Sequence, residues 1–176
     1  MKDSLTDVLA LTLKKLIPFF ITLFFVLLAY VPTHLPLSHF LRPDFAFICI
    51  YFWILYRPDL FGIVSTILIG VIVDSLSGLP LGMNICIFLF IYLLTITLAD
   101  YVNTKPFISS WLCFSLIAFL AFVLKWFLFC VYFRVLLTWP HILMTYVSTI
   151  LIYPLIARFN MFIQNRYLKT REDIDE

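Results

Sequence analysis

The sequence predicts an all-α integral membrane protein with six transmembrane helices, and three observations lead to this prediction. Apolar residues make up 64% of the 176 residues and charged residues only 12%, against about 45–50% and about 25% in soluble domains. The mean hydropathy is +1.07. Polar or proline-bearing joints divide the chain into six apolar segments, at residues 16–31, 45–56, 60–73, 81–98, 107–133 and 139–159. No other stretch is long enough to bury a core of its own, so we expect one polytopic membrane domain over residues 1–176.

The first three segments differ in what they predict. The first ends in a proline-containing loop without a small-residue cleavage site, which indicates a retained span and not a secretory signal. The second and third are short, about 18 and 21 Å as helices, against a hydrocarbon core of about 30 Å. They predict either two tilted crossings or a re-entrant hairpin around Arg57-Pro58-Asp59. We favour two crossings, because a hairpin would place Arg57 and Asp59 near mid-membrane at a cost of several kcal/mol.

The remaining segments follow turn residues, and the basic residues then orient all six. The fourth segment follows Ser77-Gly78-Leu79-Pro80, the fifth follows Pro106, and the sixth follows a joint at 134–140. With six crossings, nine basic residues lie on one side and two on the other. The nine are Lys2, Lys14, Lys15, Arg57, Lys105, Arg158, Arg166, Lys169 and Arg171, the two are Arg42 and Arg134, and Lys125 lies inside a span. The positive-inside rule therefore predicts that both termini are cytoplasmic.

The third segment carries a stripe of small residues. Gly62, Thr66, Gly70 and Asp74 recur at intervals of four, a spacing typical of a close right-handed helix crossing. The alternative is coincidence among apolar residues. If the stripe packs, a Gly70→Leu change is expected to be more harmful than the same change at Ala118, which we take as lipid-facing.

Asp74 and Lys125 are the two charged residues whose placement needs an explanation. Asp74 closes the third helix at its C-terminal end, where the helix dipole disfavours an anion. Counting at about 1.5 Å per residue puts Lys125 about 27 Å above the inner face, in the outer half of the bilayer. Lys125 therefore either pairs with Asp74, or with a partner protein, or extends to the outer headgroups.

Residues for catalysis or cofactor binding are scarce. We find no nucleophile elbow, phosphate-binding loop, dinucleotide fingerprint or metal-ligand spacing. The sequence thus predicts no enzymatic activity, no cofactor and no metal site. The net charge of +2 does not indicate a nucleic-acid partner.

One run of motifs extends over residues 42–82. Arg42-Pro43-Asp44 is followed by an aromatic run, by Arg57-Pro58-Asp59 and by the glycine and aspartate positions of the third segment. These motifs resemble those of the MreD family of bacterial rod shape-determining membrane proteins. The residues at family-motif positions are Arg42, Pro43, Asp44, Pro58, Gly70, Asp74, Gly78 and Gly82. Lys125 belongs to no motif of the family.

The resemblance implies a non-enzymatic scaffold of the elongasome in the bacterial inner membrane, which supports peptidoglycan synthesis and cell shape. It implies MreC as the direct partner, and MreB, RodA and a class B penicillin-binding protein within the same complex. It also implies a fold similar to the S-component of energy-coupling-factor transporters. We expect the Gly62-Thr66-Gly70 face to hold the MreC helix, and the basic inner surface to contact anionic lipid. A small-solute transporter or its substrate-binding membrane subunit is the alternative.

Overall fold

The structure, a computed structural model, describes residues 2–31, 43–103, 106–134 and 139–167, and each regular element in these ranges is an α-helix. The helices are α1 (Lys2–Tyr30), α2 (Phe45–Tyr56), α3 (Ile63–Ser77), α4 (Met83–Asn103), α5 (Phe107–Phe133) and α6 (Trp139–Tyr167). The prediction of an all-α protein is confirmed for this described part of the chain.

Four of the helices differ in their bounds from the predicted segments. α1 begins at Lys2 because residues 2–15 contain neither glycine nor proline to interrupt it. α4 and α6 run on to Asn103 and Tyr167. Charged and polar residues end an apolar segment, but they do not end a helix. The bounds of α2 and α5 coincide with residues 45–56 and 107–133.

The linker between α2 and α3 is longer than the sequence suggests. The backbone N–H groups of Leu60 and Phe61 both donate to the carbonyl of Arg57, at 3.1 and 3.2 Å, so the turn extends to Gly62. α3 therefore begins three residues later than predicted, at Ile63. Leu60 and Phe61, the first two residues of the predicted segment, are apolar and buried although they lie in the turn. Hydropathy therefore does not separate this turn from the helix that follows it.

Contacts between side chains and helix ends show how the helices are oriented relative to one another. Asp44, just before α2, contacts Lys125 in the C-terminal third of α5 and Thr149 in the N-terminal half of α6. Asp74, near the end of α3, contacts Asn84 at the start of α4. We call the end of the bundle where these residues lie the Asp44 end.

α1 finishes at the Asp44 end as well, since the ring of Phe25, near its end, lies 6.0 Å from that of Phe45 at the start of α2, measured between centroids. The six helices therefore alternate in direction along the chain. The first residue of α1 and the last residue of α6 both lie toward the opposite end. We call it the Arg57 end, after the linker between α2 and α3.

α2 forms the centre of the bundle. All ten residues from Ala46 to Leu55 have at most 4% of their surface exposed. α1, α4 and α6 pack against α2, and α5 contributes aromatic rings. The Phe47 ring lies 5.7 Å from that of Phe88 on α4 and 4.9 Å from that of Phe122 on α5, measured between centroids. A helix that is apolar all round is expected to be buried on all sides, as α2 is.

The outer helices expose apolar side chains. In the described chain, α4, α5 and α6 contain stretches long and apolar enough to cross a membrane, at Met83–Val102, Phe107–Phe133 and Ile142–Arg166. The apolar part of α1 and the whole of α2 and α3 are shorter. On α6, a line of exposed residues follows helical spacing at Leu143, Val147, Leu151 and Leu155. Such a face suits contact with lipid.

Pro154 interrupts the hydrogen bonding of α6, and α5 compensates for it. A proline inside a helix removes the bond to the carbonyl four residues earlier, here that of Ile150. The indole N–H of Trp111 donates to this carbonyl at 3.2 Å. In a bundle with little access to water, a partner from another helix is the way to satisfy such a group.

Candidate functional site

Asp44 connects three helices at the Asp44 end. It occupies the position before the first turn of α2. Its carboxylate Oδ2 accepts a hydrogen bond from Lys125 Nζ of α5 at 3.1 Å. Its backbone N–H donates to Thr149 Oγ1 of α6 at 3.0 Å. The start of the central helix is therefore tied to both α5 and α6.

Aromatic rings complete the surroundings of Lys125. Its ammonium lies 5.4 Å from the centroid of Phe47 and 6.0 Å from that of Phe122. Cations are attracted to the faces of aromatic rings at such distances. Only 30% of the Lys125 side chain and 16% of that of Asp44 is exposed. The ion pair is thus better shielded than an ordinary surface pair.

Asp74 forms a second carboxylate anchor, between α3 and α4. Its side chain is 1% exposed. Oδ2 accepts from the backbone N–H of Gly82 at 2.8 Å, and Oδ1 accepts from the backbone N–H of Asn84 at 2.9 Å and from its Nδ2 at 2.8 Å. These donors lie at the start of α4, where the helix dipole favours an anion.

The predicted pairing of Asp74 with Lys125 is therefore wrong. Lys125 pairs with Asp44, and the amide groups at the start of α4 bind Asp74. The dipole of α3 alone disfavours a carboxylate at that point. The next helix, α4, begins at Met83 and presents its positive end to the same carboxylate, which outweighs the effect of α3.

The small-residue stripe of α3 is packed against α4. Thr66, Gly70 and Asp74 are all buried. A Cβ atom placed on Gly70 would lie 2.9 Å from the Cα of Ile85 on α4, closer than a real Cβ contact allows. Gly62, by contrast, precedes the helix, and a Cβ atom placed there would have no neighbour within 4 Å. The close crossing therefore involves the stripe from Thr66 onward.

Two expectations about exposed faces are corrected by this packing. Thr66 is 0% exposed, so the Gly62-Thr66-Gly70 face cannot hold a partner helix, because α4 already covers it. Ala118 is 1% exposed, so it does not face lipid. Small residues are suited to close packing whether the neighbouring helix belongs to the same chain or to another one.

The glycines after α3 serve the turn that brings Asp74 to α4. Gly78 has φ +66 and Gly82 has φ +106, a region that side chains of L-residues rarely adopt. Gly78 ends α3 in the left-handed conformation. Gly82 donates its N–H to Asp74. Both motif glycines therefore have a conformational role at the second anchor.

The other motif residues lie in the linkers. Pro58 is exposed in the turn after α2, where Arg57 Nε and Asp59 Oδ1 form an ion pair at 3.3 Å. Pro43 is half-buried before α2, and Arg42 lies outside the described residues. Arg42-Pro43-Asp44 and Arg57-Pro58-Asp59 therefore differ in what their aspartates bind. The Asp44 carboxylate binds Lys125 on another helix, whereas that of Asp59 binds Arg57 in the same linker.

A buried group of hydroxyls toward the Arg57 end was not predicted from the sequence. Tyr51 Oη donates to the carbonyl of Ser110 at 2.9 Å, and the hydroxyls of Ser110 and Tyr153 lie 3.0 Å apart. The Tyr153 ring stacks on that of Phe114 at 4.3 Å between centroids. In the sequence these residues are recognisable only as isolated hydroxyl side chains within apolar segments, which does not show that they bond to one another. These bonds join α2, α5 and α6 where the two anchors do not reach.

The described residues contain no group of three or more His, Cys, Asp or Glu side chains that could hold a metal ion. Both carboxylates of the site are engaged by protein donors within the bundle. The arrangement is suited to holding helices in place.

Comparison with known proteins identifies the family. The model of the family described as rod shape-determining protein MreD matches residues 11–163, which include both carboxylate anchors and the crossing of α3 with α4. Searches of curated proteins and of solved structures found no significant match. The matched region covers five of the helices entirely or nearly so, and most of the first. The chain belongs to the MreD family of rod shape-determining membrane proteins.

Proposed function

We propose that this protein is a non-enzymatic scaffold of the cell-wall elongation machinery, which holds MreC directly and MreB, RodA and a class B penicillin-binding protein through the complex. Membership of the MreD family supports a role in rod shape at the membrane. The scaffold role and the partners are the proposal.

The observation that carries this proposal is the solid centre of the bundle. A carrier needs polar groups that converge on a site near mid-membrane. Here the buried hydroxyls of Tyr51, Ser110 and Tyr153 are bonded to protein groups. The central helix is buried along ten consecutive residues, and large side chains such as Trp53 and Phe47 are fully enclosed. A rigid bundle with an apolar outer surface is suited to binding other helices by van der Waals packing.

For the MreC helix we propose the apolar recess between α5 and α6. The recess is lined by Phe119, Phe122, Val123, Ile142, Leu143 and Tyr146. The Phe119 and Leu143 side chains are 51% and 60% exposed, whereas Phe122 forms the floor at 4%. With a volume of about 40 Å³, the recess has room for one apolar side chain of a partner helix, and that helix can then pack against the exposed side chains around it.

We further propose six membrane crossings with both termini in the cytoplasm. The alternating helix directions support this arrangement, because they bring the start of α1 and the end of α6 to the Arg57 end. Arg57, Arg158 and Arg166 also lie toward this end, as the positive-inside rule requires of a cytoplasmic face. Basic residues there attract anionic lipid headgroups.

Copurification tests the scaffold role. A tagged protein, purified in mild detergent from its native rod-shaped host, should bring down MreC and peptidoglycan synthases, and its depletion should produce rounded cells. Copurification without any cell-wall protein would contradict the proposal. Solute uptake by the purified protein alone in proteoliposomes would instead support the carrier alternative.

Photocrosslinking tests the recess. A photoreactive residue at Leu143 should crosslink to MreC, whereas one at Leu155, 69% exposed on the same helix, should not. Equal crosslinking at both positions, or crosslinking to lipid alone, would remove the recess as the MreC site.

Cysteine labelling tests the orientation. In a variant without native cysteines, Arg134→Cys should react with an impermeant reagent outside spheroplasts, and Asp59→Cys should not. Arg134 lies at the Asp44 end, and Asp59 is exposed at the Arg57 end. The opposite labelling pattern would invert the proposed topology.

A further inference from the structure

Three buried polar atoms on α2 and α6 have no protein hydrogen-bond partner among the described residues. They are Trp53 Nε1, Asn160 Oδ1 and Gln164 Oε1. Trp53 and Asn160 are 0% exposed. An unpaired polar group is costly inside a bundle, and more so where lipid surrounds it. Buried groups of this kind are usually satisfied by an internal water.

The three atoms belong to the faces of α2 and α6 that meet at Cys49 and Asn160, and we call the line between these faces the seam. Asp44 and Thr149 are in contact, and so are Cys49 and Asn160, which shows that α2 and α6 run in the same direction. Trp53 follows Cys49 by four residues, and Gln164 follows Asn160 by four. Residues four apart lie on the same helix face. Trp53 and Gln164 therefore lie one turn further toward the Arg57 end, on the helix faces that carry Cys49 and Asn160.

The contact between Cys49 and Asn160 leaves one polar atom of the Asn160 amide without a partner among the described residues. Asn160 Nδ2 donates to the small Cys49 side chain at a donor–sulfur distance of 3.9 Å. That bond uses the nitrogen of the Asn160 amide and leaves its oxygen for another donor. The seam thus presents one donor, the Trp53 indole N–H, and two acceptors, the amide oxygens of Asn160 and Gln164.

We propose that one internal water molecule binds between α2 and α6 and joins these three atoms. A water accepts one hydrogen bond from the Trp53 N–H and donates its two hydrogens to the two amide oxygens. A metal cation cannot accept the indole hydrogen, and a halide or carboxylate cannot donate to the amides. The water links α6 to the central helix on the Arg57 side of the Pro154 interruption.

Nuclear magnetic resonance of the whole protein in nanodiscs, with ¹⁵N-labelled tryptophan, tests this site. The Trp53 indole signal is assigned from its loss in Trp53→Phe. Its proton should show a rotating-frame cross-peak to water. The Trp111 indole proton donates directly to the Ile150 carbonyl and should show none, which makes it an internal control. Absence of a water cross-peak at Trp53 would overturn the proposal.

Variants distinguish a bound water from general hydration. Gln164→Met removes one acceptor at similar volume and should abolish or strongly reduce the Trp53 cross-peak. Asn165→Ala, at the exposed neighbouring position, should leave it unchanged. An unchanged Trp111 signal shows that each variant is folded. If Gln164→Met does not fold, Asn160→Leu removes the other acceptor. A cross-peak that survives loss of an acceptor would contradict the three-bond site.

Discussion

α2 and α3 are both short and strongly apolar, yet they occupy opposite kinds of position. α2 is buried on every side, while α3 buries one stripe and exposes Val64, Leu68 and Val71. The difference follows from side-chain size. α2 consists almost entirely of large residues that fill the bundle, whereas α3 carries small residues that let α4 approach closely. Apolar character alone does not distinguish a protein environment from lipid.

Each of the two helices is also held by its own carboxylate at the Asp44 end. Asp44 fixes the start of α2 through Lys125 and Thr149. Asp74 fixes the end of α3 through the first turn of α4. An ion pair holds the first, and backbone amides hold the second. The two anchors should therefore respond differently to substitution.

Truncating an isoleucine should show the largest contrast between the helices. Ile50 on α2 is 0% exposed and Ile63 on α3 is 46% exposed. Ile50→Ala should lower the free energy of unfolding by about 2–5 kcal/mol, because it leaves a cavity. Ile63→Ala should change it by no more than about 0.5 kcal/mol. Unfolding in a denaturing-detergent titration measures both, and equal losses would mean that α2 is not the core.

Serine substitutions at two glycines should test the close crossing of α3. Gly70→Ser should cost about 1–3 kcal/mol, since the new side chain overlaps the Ile85 backbone. Gly62→Ser has open space and places a favoured residue before the helix, so it should be neutral or slightly stabilising. The same titration measures both variants. A tolerated Gly70→Ser would indicate that α4 is farther away.

Neutralising Asp74 should weaken the anchor of α3. Asp74→Asn retains the shape but removes the charge that accepts three hydrogen bonds. We expect a loss of about 1.5–3 kcal/mol in the free energy of unfolding. Asp59→Asn, at an exposed ion pair, should cost less than about 1 kcal/mol. Similar losses for the two variants would argue against Asp74 as a buried anchor between α3 and α4.

A double-mutant cycle should give the smallest effect and identify the partner of Lys125. Asp44→Asn and Lys125→Met should be coupled by about 0.5–3 kcal/mol, because the two groups are in contact. Asp74→Asn and Lys125→Met should be additive within about 0.5 kcal/mol. If Lys125 were instead coupled to Asp74 and not to Asp44, the ion pair between Asp74 and Lys125 considered from the sequence would be correct.

The sequence by itself determined the all-helical class, the six apolar segments and the family, because hydropathy and turn residues are local properties. It also identified Gly70 and Asp74 as residues with a packing role. Their partners could not be predicted. The N–H groups that bind Asp74 lie at the start of α4. The sequence shows that α4 follows α3 closely, but it does not show that the start of α4 points toward Asp74.

Only the tertiary structure decided which apolar surface faces protein and which faces outward. Ala118 is buried although the sequence led us to expect it to face lipid, and the face of α3 that carries Thr66 is covered by α4, a helix that the spacing of the small residues does not identify. In a membrane, lipid and protein interiors are similarly apolar, so the hydrophobic pattern that orients a helix in a soluble protein is weak. Helix positions are then set by side-chain size and a few hydrogen-bonded polar groups, such as those of Asp44 and Lys125.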